Sequence, residues 1–118
     1  NCNNTHWALM VVSPQDQTIE YLDSLGGAGG RRFDTIMHWL KFELHESFMA
    51  REWTLIENQS PFQANGNDCG VFVCYNSFAR LRGLDPHKVF GADDMVSGRK
   101  QIAATLINKG FTGLFAWE

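Results

Sequence analysis

The chain has 118 residues, of which 44% are hydrophobic and 19% charged, and its formal net charge at pH 7 is −3. This length predicts one small domain with a buried core and leaves no room for a second domain. The charge gives no electrostatic footprint for nucleic acid. We expect neither a signal peptide nor a membrane span, since the sequence has no apolar run of the length that these need.

The three cysteines do not follow the pattern of a disulfide-bonded or zinc-binding protein. An odd number does not suggest a disulfide framework, and free thiols fit a reducing compartment, the nucleus or the cytoplasm. Cys2 and His6 are four residues apart, and Cys69 and Cys74 are five apart. Neither pair has the tight spacing of common structural zinc sites. We therefore expect an intracellular protein without a metal or other cofactor.

The first strands are predicted over residues 6–12 and 18–23, separated by a polar turn. His6 opens the first, apolar segment, and Asp23 ends the second. A hairpin of this kind places His6 and Asp23 side by side across an antiparallel pair. In that position a carboxylate can fix the tautomer of an imidazole and stabilise its protonated form. A cross-strand hydrogen bond without any chemistry is the alternative.

The middle of the chain reads as scaffold. Residues 26–30 form a glycine-rich segment without the Lys-Ser/Thr ending of a phosphate-binding loop, so a flexible turn is expected. Apolar residues at helical spacing predict a helix from about residue 33 to residue 48. A third strand is expected over residues 53–57, leading into the polar loop before Cys69.

Cys69 stands between this polar loop and an apolar helical run. The helix is predicted to cover residues 70–81 and to stop at Gly83, with Asn67 or Asp68 as its cap. The partial positive charge of a helix N-terminus favours a thiolate, although Asp68 partly opposes it. Gly70 leaves the backbone beside the sulfur uncovered for an approaching acyl group. The alternative is a buried structural cysteine.

Gln63 lies six residues before Cys69. The tetrahedral intermediate of acyl transfer carries a negative oxygen that needs preformed hydrogen-bond donors. A side-chain amide at this spacing can supply one donor, and the backbone N–H of Cys69 can supply another. Taken alone, Gln63 is equally compatible with a solvated loop residue.

The C-terminal third is predicted to contain a loop around residues 85–91 and a last helix from residue 95 to residue 107. Gly110 is expected to stop this helix, and Gly98 weakens the prediction. The apolar tail at residues 111–117 fits either a packed end or an exposed surface.

Three motifs together resemble the Ulp/sentrin family of SUMO-specific, papain-like cysteine proteases. They are His6-Trp7, the segment Tyr21-Leu22-Asp23-Ser24-Leu25, and the segment from Gln63 to Cys69-Gly70. The order His, Asp, Gln, Cys is that of the family. The resemblance implies an α+β, papain-like fold with a short central sheet flanked by helices.

The resemblance also implies roles for five residues. Cys69 is then the nucleophile, His6 the base, Asp23 the group that orients it, and Gln63 the oxyanion donor. Trp7 matches the tryptophan that helps to clamp the Gly-Gly tail of the substrate. The implied partners are SUMO or another ubiquitin-like modifier and its conjugates, without nucleic acid or membrane.

Family catalytic domains extend well upstream of this histidine, whereas five residues precede His6 here. Residues 1–118 are therefore expected to form a single but partial catalytic domain. Three functions stay open. The leading one is a protease or isopeptidase for a ubiquitin-like modifier. The others are an inert relic, which binds a modifier or binds nothing, and a papain-like acyltransferase.

Overall fold

The structure, a computed structural model, describes residues 1–57 and 59–112. It has the expected α+β architecture, in which helices accompany a small sheet. The strands are β1 (Leu9–Ser13), β2 (Thr18–Leu22) and β3 (Thr54–Ile56), and the helices are α1 (Arg31–Leu44), α2 (Cys69–Leu81), α3 (Pro86–Val89) and α4 (Met95–Asn108). Short 3-10 turns occupy His45–Ser47, Ala50–Glu52 and Ala92–Asp94. Among the described residues, no helix is long and apolar enough to cross a membrane.

The sheet is mixed, with β2 in the middle. β1 runs antiparallel to β2, with Leu9 opposite Leu22 and Ser13 opposite Thr18. β3 runs parallel to β2 on its other side. The central position explains why four of the five residues of β2 are buried, whereas β1 is half-buried along its length.

The first strand begins later than predicted, at Leu9 instead of His6. Residues 1–6 form a tight turn in which Asn3 and Asn4 have φ angles of 53° and 59°. The backbone N–H of Cys2 donates to the carbonyl of His6 at 2.6 Å. His6 therefore pairs with Cys2 in an isolated bridge and not with β2. This local turn, which hydrophobic periodicity does not report, keeps His6 out of the strand.

The α1 helix covers one face of the sheet. Its buried residues Phe33 and Leu40 form a core cluster with Ile19, Tyr21 and Trp53. The helix ends at Leu44, four residues before the predicted end. His45 takes a φ of 49° there and the chain continues as a 3-10 turn.

The α2 helix connects this core to a second one. Val71, Phe72 and Tyr75 pack with Phe90 and Met95 in a separate buried cluster. On another face of α2, Arg80 forms a two-pronged ion pair with the buried Glu20 of β2, with Nε 2.7 Å from Oε2. The ion pair fixes α2 against the sheet, and so fixes the position of its first residue, Cys69.

The α4 helix approaches α2 closely at Gly98. A Cβ atom at this glycine would lie 2.8 Å from the Tyr75 ring and 3.2 Å from a methyl group of Val71. Gly98 is therefore a contact point between two helices and not a sign that α4 is weak. The helix reaches Asn108 and Lys109 takes a left-handed conformation, so it ends just before Gly110 as predicted.

The predicted loop at residues 85–91 contains α3, which Asp85 caps by accepting a hydrogen bond from the backbone N–H of His87 at 3.1 Å. The third strand is shorter than predicted, because the N–H of Trp53 closes a 3-10 turn onto the carbonyl of Ala50. Most of the apolar tail lies outside the described residues.

Candidate active site

An imidazole–carboxylate pair lies at one end of the sheet. The Nε2 atom of His6 is 2.6 Å from Oδ1 of Asp23, and the two side chains are only 13% and 7% exposed. His6 precedes β1 and Asp23 directly follows β2. Because β1 and β2 are antiparallel, they bring the two residues to the same end of the sheet. The expected proximity is thus present, although neither residue belongs to a strand.

The Asp23 carboxylate accepts further hydrogen bonds that hold it in place. The backbone N–H of Leu25 donates to Oδ1 at 2.8 Å, and the hydroxyl of Tyr21 donates to Oδ2 at 3.1 Å. Burial acts to raise the pKa of Asp23, but the hydrogen bonds from Leu25, His6 and Tyr21 outweigh it. The pKa of Asp23 therefore lies below its ordinary value, and the group is a carboxylate at neutral pH.

Tyr21 is a site residue that the sequence reasoning did not assign. Its ring lies in the core and its hydroxyl faces Asp23. Burial, a contact with the Cys2 thiol and the nearby Asp23 charge raise the pKa of Tyr21 far above its ordinary value, so its hydroxyl keeps its proton. A usable signal was present, because alternate residues of a strand point to the same side and Tyr21 and Asp23 are two apart.

Gly27 lies directly against the same carboxylate. A Cβ atom there would come within 2.4 Å of Oδ2 of Asp23. Gly29 is similarly covered by the ring of Phe33, and its N–H donates to Glu57 at 2.9 Å. The segment is therefore closely packed at Gly27, against the site carboxylate, and at Gly29, so the interpretation as a flexible turn is wrong at these two positions.

Gln63 is connected to the residue that follows Asp23. Its backbone N–H donates to the carbonyl of Ser24 at 2.9 Å, and its Oε1 accepts from the Ser24 hydroxyl at 2.5 Å. The amide nitrogen donates to the carbonyl of Asn65. Since an amide nitrogen carries two protons, one N–H remains for another acceptor.

Cys69 is buried, 8% exposed, and is the first residue of α2. The preceding residue, Asp68, occupies the N-cap position but makes no side-chain cap, so the predicted capping is wrong. Its carboxylate instead accepts hydrogen bonds from the side chains of Asn65 and Arg99. The hydrogen bond from Arg99, and to a smaller extent that from Asn65, lowers the pKa of Asp68.

The apolar run after Cys69 predicts that Cys74, one turn into the helix, is protected, and this prediction is wrong. Cys74 is exposed, whereas Cys69 is buried and Cys2 is partly buried. Partial desolvation raises the pKa of the Cys74 thiol, so fewer of these thiols are ionised at neutral pH. Trp7 is 52% exposed, and its contact with a substrate stays a prediction.

The structure brings some of the site residues predicted from the sequence into direct contact and connects others only through intermediate residues. His6 contacts Asp23 directly. Gln63 reaches Asp23 through Ser24, and the loop that follows Gln63 leads to Cys69. The juxtaposition of the His6 ring and the Cys69 sulfur stays a prediction. Among the described residues, no three His, Cys, Asp or Glu side chains cluster in a way that could hold a metal ion.

Comparison with known proteins gives one consistent family. Residues 1–110 match the family described as "Ulp1 protease family, C-terminal catalytic domain". The chain is 36% identical over 110 residues to ubiquitin-like-specific protease 1 of Saccharomyces cerevisiae, covering 91% of this chain and 17% of that protein. It is 33% identical over 111 residues to human sentrin-specific protease 2, covering 88% of this chain and 18% of that protein.

Solved structures agree. The catalytic domain of the Ulp1-like SUMO protease from Chaetomium thermophilum superposes with a TM-score of 0.90 at 36% identity, covering 98% of this chain and 46% of that one. The yeast Ulp1 protease domain, solved in complex with Smt3, the yeast ortholog of SUMO, gives a TM-score of 0.76 at 30% identity. That match covers 92% of this chain and 49% of the other.

Proposed function

Because this chain belongs to the Ulp1 protease family, we propose that it is part of the catalytic domain of a thiol protease or isopeptidase. Its substrate would be SUMO or another ubiquitin-like modifier, cut after the C-terminal Gly-Gly. The observation that carries this proposal is the buried His6–Asp23 pair, 2.6 Å apart, at the end of the sheet to which Ser24 ties the Gln63 loop.

In this proposal His6 is the general base. Its Nε2 atom donates to the Asp23 carboxylate, so Nδ1 is left as the acceptor for the proton of the Cys69 thiol. Asp23 stays ionised because its pKa is lowered, and it stabilises the imidazolium that forms. Tyr21 and Leu25 hold the carboxylate so that the imidazole keeps one orientation.

The Cys69 thiolate would attack the carbonyl carbon of the second glycine of the Gly-Gly pair, which is bonded to the leaving amine. Two donors would bind the oxyanion, the free N–H of the Gln63 amide and the backbone N–H of Cys69. The N–H of Cys69 is available because the first N–H groups of a helix have no acceptor within that helix. The imidazolium of His6 then returns its proton to the leaving amine. Water finally hydrolyses the thioester and frees the enzyme.

Trp7 is proposed to contact the Gly-Gly tail, since it adjoins His6 in the chain and is exposed. Glycines are the residues that a narrow passage beside such a ring admits. A SUMO-type partner also implies an intracellular location, in the nucleus or the cytoplasm. Reaction with a panel of modifier probes identifies the ubiquitin-like modifier that is cut.

The test is reaction with modifiers that carry a C-terminal electrophile. The chain, and a longer natural form that includes upstream residues, are each incubated with SUMO, ubiquitin and other modifier probes. We expect a covalent adduct with at least one probe, mapped by mass spectrometry to Cys69. Cys69→Ala should abolish the adduct and Cys74→Ala should preserve it.

The alternatives give different results. An inert relic binds the modifier without an adduct or does not bind it. An acyltransferase leaves every modifier probe unreacted but takes an acyl group from a small thioester donor onto Cys69. An adduct on Cys74, or no adduct with any probe in the longer form, contradicts the proposed protease.

A further inference from the structure

We propose that Arg99 of α4 is a positioning residue for Cys69, because it neutralises the adjacent Asp68 carboxylate and fixes the loop between Gln63 and the nucleophile. The inference rests on the proposed function, since it adds a residue to the same site. Arg99 lies 30 positions after Cys69 in the sequence, and nothing in the local sequence signals its role.

The contacts of Arg99 reach two residues of the loop. One terminal nitrogen of its guanidinium lies 2.6 Å from Oδ1 of Asp68 and 2.9 Å from the carbonyl oxygen of Asn67. The other carboxylate oxygen of Asp68 accepts from the Asn65 amide at 2.7 Å. Both oxygens of Asp68 are therefore held.

The same loop contains the partner of Gln63. The Oδ1 atom of Asn65 accepts from the backbone N–H groups of Asn67 and Asp68 at 3.0 and 3.1 Å. The carbonyl of Asn65 accepts from the Gln63 amide. A continuous chain of hydrogen bonds thus runs from Arg99 through Asp68 and Asn65 to the proposed oxyanion donor.

Charge gives the second part of the argument. A carboxylate one residue before Cys69 opposes formation of a thiolate, because like charges at short range raise each other's energy. A guanidinium stays protonated at every accessible pH, so Arg99 cancels the Asp68 charge throughout the range in which a thiol ionises. The positive helix N-terminus then acts on Cys69 without an opposing charge beside it.

The close approach of α4 to α2 explains why Arg99 can reach this loop. Gly98 lies against Val71 and Tyr75 in the first two turns of α2, and Arg99 is the next residue. The Arg99 side chain is 53% exposed. A partly exposed ion pair contributes little to global stability, so we expect its loss to be felt mainly at the site.

The test measures the rate of Cys69 alkylation by iodoacetamide against pH, with modified cysteines identified by mass spectrometry. The charged groups to be counted are Asp68 and Arg99 and, under the proposed function, His6 and Asp23. We expect Arg99→Met to raise the pH midpoint of Cys69 alkylation by roughly half to one unit. Adding Asp68→Asn to this variant should bring the midpoint back towards wild type.

Two further variants separate charge from geometry. Arg99→Lys keeps the charge, but its shorter side chain places the ammonium away from the position of the guanidinium nitrogen that contacts both Asp68 and Asn67. It should hold the midpoint near wild type yet lower turnover of the modifier substrate. Lys100→Met removes a positive charge from the neighbouring exposed position of α4 and should leave the midpoint unchanged.

The outcomes distinguish this inference from the proposed function. If wild-type Cys69 reacts no faster than Cys74, the proposed nucleophile is wrong. If it reacts fast but Arg99→Met leaves the midpoint in place, or Asp68→Asn fails to reverse the shift, only the role of Arg99 is overturned. Should Arg99→Met not fold by circular dichroism, Arg99→Gln takes its place: a raised midpoint supports the role and an unchanged or lowered one refutes it.

Discussion

At the scale of single residues, the site depends on side chains that hold other side chains. The Ser24 hydroxyl holds the side-chain amide oxygen of Gln63, and the Tyr21 hydroxyl holds one carboxylate oxygen of Asp23. The sequence predicts the four reactive groups because each has a distinctive chemistry at a distinctive spacing. It indicates that Tyr21 and Asp23 point to the same side, but it does not assign the supporting roles, because a serine or a tyrosine beside a strand end has many ordinary uses.

Gln63→Ala tests the oxyanion donor. We expect turnover to fall by about tenfold to a thousandfold, as the loss of one such donor does elsewhere, with the fold intact by circular dichroism. Ser24→Ala keeps the Gln63 amide but frees its orientation, so it should reduce turnover by a smaller factor. Equal losses in Gln63→Ala, His6→Ala and Cys69→Ser would show that Gln63 has a different task.

The lowered pKa of Asp23 implies that the free energy of unfolding depends on pH. Its folded-state pKa is below the unfolded value of about 4, so the stability it contributes is fully present above that value and is lost as pH falls through the folded-state pKa. Asp23→Asn should therefore be less stable than wild type at pH 7, with a gap that shrinks below about pH 4.

Urea unfolding followed by circular dichroism at pH 7, 5 and 3 measures this gap. Tyr21→Phe removes one of the hydrogen bonds to the same carboxylate and should produce a smaller change in the same direction. A gap between wild type and Asp23→Asn that is the same at all three pH values would contradict a titrating role for this group.

At the scale of elements, the spacing of apolar residues predicts β2, α2 and α4 nearly to their ends. It does not predict where β1 begins or where α1 ends. Those limits depend on single backbone conformations, such as the left-handed His45 that ends α1 and the turn at Asn3 and Asn4 that delays β1. Periodicity reports which face of an element is buried. It carries no information on where one residue turns the chain, or on which distant helix reaches a loop.

Two glycine-to-alanine changes should have opposite effects on stability. Gly98→Ala places a methyl group against Tyr75 and Val71, and we expect a loss of about 1 to 3 kcal/mol from overpacking. Gly70→Ala meets no atom within 4 Å, so better helix propensity should stabilise α2 by up to about 1 kcal/mol.

Gly70→Ala should nevertheless reduce turnover, because its methyl group stands where the acyl group of the substrate is proposed to approach Cys69. Thermal unfolding and substrate cleavage, measured on the same two variants, check both statements. A stabilised Gly70→Ala variant with full activity would show that the space beside Cys69 is not used by the substrate.

At the scale of the whole molecule, this chain is about half of the solved catalytic domains that it matches. Four apolar side chains on α2 and α4 are between 72% and 85% exposed, namely Leu81, Val96, Leu106 and Ile107. Surface of this kind marks an interaction site or a tendency to aggregate. Recognition of a folded modifier buries on the order of 800 Å² of accessible surface on each partner. This is a large fraction of the surface that a chain of this size can present on one face.

We therefore expect these 118 residues alone to cleave a SUMO-like precursor poorly, and a form extended towards the N-terminus to cleave it well. Gel-based cleavage and light scattering on both forms provide the comparison. If the short chain is monomeric and as active as the extended one, residues 1–118 are a sufficient enzyme and the expectation of a partial domain is wrong.

The parallel pairing of β2 with β3 has a consequence for the order of folding. These strands are joined by the long connection of residues 23–53, so their contact closes a large loop, which is slow compared with a hairpin or a helix. Asp23 directly follows β2, and Gln63 comes seven residues after the end of β3. On refolding from urea, the far-UV signal of the helices should therefore recover before Cys69 becomes selectively reactive towards iodoacetamide. Simultaneous recovery of both signals would mean that the crossover forms with the helices and that the site needs no late step.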